Sequence, residues 1–87
     1  KGKLGKKSID INNLNLLVDR TDLRSQILVK VRSTGKLLDA RINFKDNNSA
    51  EVILEEFEDG ISPGQACVFY NLDKKGYKVL GGGWIIN

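Results

Sequence analysis

Eighty-seven residues with 40% hydrophobic and 29% charged side chains make one small soluble-type domain with a modest core. No stretch nears the ~20 apolar residues of a membrane helix, and the basic start leads into no apolar signal segment. Histidine is absent, which removes the commonest general base and the commonest metal ligand.

The net charge of +3 is unevenly spread. Four of the fourteen basic side chains, Lys1, Lys3, Lys6 and Lys7, fall in the first seven residues, which hold no acid; residues 8–87 balance the other ten against eleven acids. Residues 1–7 read as a basic linker or arm from a preceding domain. The chain neither begins with methionine nor contains one, so it is expected to be a piece of something longer or a processed chain. Any electrostatic case for nucleic acid rests on that arm or on local patches.

Residues 8–18 form the first expected strand. Ile9 and Ile11 share one face, but Leu14, Leu16 and Val18 alternate one residue out of step. An extra residue near Asn12-Asn13 restores the register, so a bulge is expected there. Residues 19–25 carry loop signals and have room for no more than a single helical turn. Residues 26–33 alternate cleanly, Ile27, Val29 and Val31 against Leu28, Lys30 and Arg32. A tight connection around Gly35 leads to a partner strand. There Leu38, Ala40, Ile42 and Phe44 oppose Asp39, Arg41, Asn43 and Lys45. Asp46-Asn47-Asn48-Ser49 is a turn; its glycosylation tripeptide has no secretory context.

Residues 51–57 are a fourth strand, with Val52 and Leu54 on one face and Ile53 and Phe57 on the other. Glu55, Glu56, Glu58 and Asp59 surround its end. Pro63 and Gly64 then turn the chain into Ala66-Cys67-Val68-Phe69-Tyr70, apolar on both faces as a deeply buried strand should be. A charged hairpin at residues 71–76 precedes a sixth strand. Gly81, Gly82 and Gly83 interrupt that strand and read as a structural corner, with Trp84 expected to land inside. Six short strands, frequent turns and no helical period predict an all-β fold, a small closed antiparallel β-barrel.

Little here suits catalysis. Cys67, the one cysteine, cannot form an internal disulfide and suits a reducing, cytoplasmic compartment. With no histidine to activate it, it reads as a buried inert thiol. The triple glycine leads into Trp-Ile-Ile rather than into a helix with Lys-Ser or Lys-Thr, so it is not a phosphate loop. Gly35-Lys36 fails the same motif. The acidic cluster reads as a solvated strand end. Lys30, Arg32, Lys36 and Arg41 share the outer side of the second and third strands and their connection. They form either a patch that holds phosphates or ordinary solvated surface. Asp39 weakens the patch, and no aromatic clearly joins it as a stacking platform.

The segment Gly-Ile-Ser-Pro-Gly-Gln-Ala-Cys-Val-Phe-Tyr at residues 60–70 and Val-Leu-Gly-Gly-Gly-Trp-Ile at residues 79–85 resemble the C-terminal end of bacterial-type tRNA-specific 2-thiouridylases, the tRNA-uridine 2-sulfurtransferases. Val29-Lys30-Val31-Arg32-Ser33-Thr34-Gly35 with Ala40 resembles the family's preceding strand. Asn15-Leu16-Leu17 resembles its Asn-Trp-Leu, with Leu16 in place of tryptophan. The resemblance implies a translation-factor-like barrel over residues 8–87 that contains no catalytic residue. It implies a parent enzyme that uses ATP and persulfide sulfur to thiolate the wobble uridine of tRNA. The ATP-pyrophosphatase loop and catalytic cysteines lie in an N-terminal domain, and Cys67 matches none of their motifs. On that reading no cofactor binds here. The partners are tRNA and the parent's catalytic domain, and no membrane. Lys6, Lys7, Lys30, Arg32, Lys36 and Arg41 would help position the tRNA. The alternative is a structural barrel that packs on its parent domain or on a sulfur-carrier protein without touching RNA.

Overall fold

The computed structural model describes residues 6–23, 26–31 and 36–86. Six strands form in chain order: β1 (Lys6–Leu16), β2 (Ile27–Lys30), β3 (Leu38–Phe44), β4 (Ser49–Glu58), β5 (Ala66–Asp73) and β6 (Gly76–Ile85). Among the described residues between β1 and β2 lies a 3₁₀ turn, Arg20–Leu23. The strands close into an antiparallel barrel in the order β1-β4-β3-β2-β5-β6. The expected architecture is present, and closure pairs every strand on both sides. Of the expected arm at residues 1–7, Lys6 and Lys7 belong to β1, and residues 1–5, like the connection at residues 32–35, lie outside the described residues.

Alternation explains the core. Ile9, Ile11, Val29, Val52, Cys67 and Phe69 point inward and are fully buried. No buried side chain among the described residues is polar or charged. The slip in β1 is a bulge: its pairing with β6 shifts between Asn12 and Asn15, and Asn13 takes φ 53°. Asparagine tolerates that left-handed conformation better than most residues. Leu14, Leu16 and Val18 then pack against the core from its edge.

The two late motifs meet. In the Pro63-Gly64 turn, Gly64 takes φ 94° and donates its N–H to Ile85 O at 2.8 Å. The Ile85 N–H donates to Gln65 O, also at 2.8 Å. The Gln65 side chain closes the turn: its Oε1 accepts from Ser62 N, and its Nε2 donates to Gly60 O.

Residues 81–83 stay within β6, and neighbouring backbone crowds against them. A Cβ on Gly81 would stand 2.5 Å from Asn15 O; one on Gly82 would stand 2.5 Å from Cys67 O. Only glycine permits that approach.

Two expectations need correction here. Trp84 is not inside: it is 50% exposed. Its neighbours decide this, because Ile85 is buried and the Gly83 position faces Ile11 and Leu14 in the core. The residue between two inward positions of a strand must point out. The fifth strand is also not buried on both faces. Cys67 and Phe69 are buried, while Ala66, Val68 and Tyr70 are only half-buried, since no second layer covers them.

Candidate nucleic-acid interface

Every charged side chain of the described residues lies on or near the outside of the barrel, so any site is a surface. The six strands sort the basic side chains expected there into three places. Arg41 on β3 stands opposite Ile53 on β4, and Lys7 reaches the same spot from β1, on the other side of β4. Together with Leu54 and Glu55 they line a depression of about 260 Å³. The Lys7 ammonium lies 5.6 Å from the centre of the Phe57 ring, within cation–π range.

Lys36 is elsewhere. It shares a depression of about 220 Å³ with Asp39, Glu55, Glu56 and Glu58, where four carboxylates outweigh one ammonium. Lys30, on β2, lies across from Val68 on β5. Its ammonium sits 6.0 Å from the centre of the Tyr70 ring. Tyr70 therefore shares the outer face with Lys30, and the expectation that no aromatic does so is overturned. The signal was present in the alternation of β5: if Cys67 and Phe69 point in, Val68 and Tyr70 point out. Arg32 and the Lys6 side chain lie outside the described residues.

A fifth cation, Arg20, has a place that no sequence motif marks. Its guanidinium stacks 4.4 Å from the centre of the Phe44 ring and donates to Asp46 O at 2.6 Å. This clips the 3₁₀ turn to the β3–β4 turn. Asp46 in turn accepts from Asn48 N at 2.7 Å and from Ser49 Oγ at 3.0 Å. Those two bonds, with smaller help from Ser49 N and Arg20, hold its carboxyl below the usual aspartate value. Lys45 pairs with Asp10 at 3.0 Å, and Ser8 Oγ donates to the Glu51 carboxylate.

The interior offers no reactive group. Cys67 is free and buried, and burial pushes its thiol up to about 12. It is neutral, inaccessible and far from being a nucleophile. No group of three or more histidine, cysteine, aspartate or glutamate side chains among the described residues is placed to hold a metal. The triple glycine does not fit a nucleotide phosphate. It is mid-strand, and backbone carbonyl oxygens of Asn15, Cys67 and Asn12 close on it, where a phosphate needs N–H groups.

A closed apolar barrel with its charges and several aromatic rings outside is a surface module. The family model described as the Aminomethyltransferase beta-barrel domain matches residues 6–85, and the chain belongs to that family. Among curated relatives, the tRNA-specific 2-thiouridylase MnmA of Paramagnetospirillum magneticum is 49% identical over 67 residues, covering 77% of this chain and 16% of the relative. The protein of the same name from Maricaulis maris is 42% identical, covering 90% and 19%. That from Orientia tsutsugamushi is 44% identical, covering 95% and 22%. The chain thus spans about a fifth of the length of the relatives it matches. No helix among the described residues is long and apolar enough to cross a membrane.

Proposed function

We propose that this chain is the C-terminal barrel of a cytoplasmic tRNA 2-thiouridylase, and that it positions tRNA for a catalytic domain outside these 87 residues. The ATP-dependent exchange of the uridine 2-oxygen for sulfur belongs to that domain. Likeness to the 2-thiouridylases along most of the chain supports the assignment. The observation that carries the RNA-contacting role is the convergence of Lys7 and Arg41 on one outward depression from two strands that are not paired with each other. Two cations in a shallow basin suit a phosphate backbone, which is held by charge and not by sequence. Lys30 adds a third cation on the next face. Lys36, among its carboxylates, contributes least.

Gel-shift titration of tRNA against the chain tests this. Lys7→Glu combined with Arg41→Glu should weaken binding. The dependence of log affinity on log salt should flatten by roughly 0.7–0.9 for each phosphate that is no longer neutralised. Unchanged affinity and salt slope would refute it.

A second reading has its own observation. Ile53 and Phe57 are 41% and 54% exposed beside the same basin. Leu28 and Leu37 are half-buried. Such apolar side chains suit packing on the parent's catalytic domain or on a sulfur-carrier protein. On that reading Phe57→Ser abolishes a protein contact and leaves tRNA affinity unchanged.

A further inference from the structure

The outward placement of Trp84 creates a second surface, on β1, β6 and β5. Three rows of paired residues cross it. Asn12, Trp84 and Ala66 form the first. Asn15, Gly82, Val68 and Lys30 form the second. Val79, Tyr70 and Leu28 form the third. The middle row has no side chain at Gly82, so a groove of about 230 Å³ opens there. Trp84 walls one end, Val79 and Leu17 the other, and Asn13 and Asn15 flank it on β1. Packing maintains the groove, because a Cβ at Gly82 would collide with Cys67 O.

The groove is smaller than the roughly 300–1,000 Å³ clefts that hold drug-sized ligands. Its shape, an exposed indole beside an open slot, suits one flat ring. No acidic residue lines it. Lys74, Lys75 and Lys78 outnumber Asp73 on the β5–β6 hairpin that carries it, while β4, beyond β1, carries Glu51, Glu55, Glu56 and Glu58 and no base. The charge therefore favours a polyanion over an apolar protein partner on this face.

We propose that the groove takes a single unpaired nucleobase of RNA, stacked on Trp84, with its polar edge toward the Asn13 and Asn15 amides. Stacking on an aromatic ring accepts any base, and side-chain amides both donate and accept toward a base edge. Lys30, one strand over and paired with Val68, is placed for a flanking phosphate. The inference rests on the tRNA reading above and names a site within it.

Trp84 is the only tryptophan of the chain, so its fluorescence reports directly on the groove. The chain is titrated with tRNA, with a short unstructured RNA and with a blunt RNA duplex. Quenching is expected with the first two and little with the duplex. Binding of labelled unstructured RNA, read by anisotropy, should weaken about tenfold in Trp84→Leu, as removal of a stacking ring does. Trp84→Phe, which keeps a ring, should stay within about threefold. Both variants should keep the native circular dichroism melt, since Trp84 is half exposed. If tRNA binds without quenching, or Trp84→Leu binds as tightly as the parent, the groove proposal fails and the lysine-based reading stands. If Trp84 emission instead shifts with protein concentration in the absence of RNA, a second copy fills the groove and the proposal is wrong. Absence of any tRNA binding refutes the positioning role first, and the groove with it.

Discussion

Gly82 and Cys67 touch across β5 and β6, and each sets a measurable limit. Gly82→Val places a branched side chain against the Cys67 carbonyl and the Val68 Cα. Backbone cannot step aside as a side chain does, so a loss above ~2 kcal/mol is expected in urea denaturation. Cys67 acts through its ionisation. Its folded value of about 12 lies above its ordinary 9.0. The unfolded thiol therefore loses its proton first as pH rises. The stability tied to this group is fully present below pH 9 and is lost between 9 and 12. Denaturation midpoints measured across that range should fall, and Cys67→Ala should flatten the fall. Trp84 shows where reading the sequence stops. Plain alternation from the buried Leu80 puts Trp84 inside. Glycines carry no side chain to mark a face, so nothing in the sequence reveals that parity changes at residues 80–81. The pairing exposes it: Phe69 opposes Gly81 while Tyr70 opposes Val79, which leaves Leu80 as an extra residue in β6.

At the scale of elements, the Pro63-Gly64 turn and the end of β6 are tied by two backbone bonds. Gly64→Ala meets nothing within 4 Å, so its cost comes from φ 94° alone. That cost should be about 1–2 kcal/mol, read as a lower denaturation midpoint with an unchanged slope. The strands were legible because each shows a period of two. The β1 bulge was legible too: apolar residues lose step at Asn12-Asn13, and asparagine suits the left-handed site that the slip requires. Partners distant in sequence were not legible. The pairing of β1 with β4 and of β2 with β5 depends on closure of the whole sheet, which no local pattern encodes. For that reason alternation placed Lys30 and Arg41 outward but could not show that Tyr70 accompanies one and Lys7 the other.

Across the whole molecule, chemistry is confined to the exterior, and the exterior is polarised. Carboxylates gather on β4 and beside Lys36, whereas β6 and the turn before it offer Lys74, Lys75 and Lys78, a glycine-floored groove and Trp84. On the proposed function, the barrel is a rigid carrier for side chains that hold a polyanion. Mapping amide chemical-shift changes during a tRNA titration of the chain tests that claim most directly. The changes should fall at Lys7, Lys30, Arg41, Gly82 and Trp84, with Asp39, Glu56 and the core amides of Ile9 and Val52 unmoved. Changes confined to the Lys36 depression, or none at saturating tRNA, would contradict it.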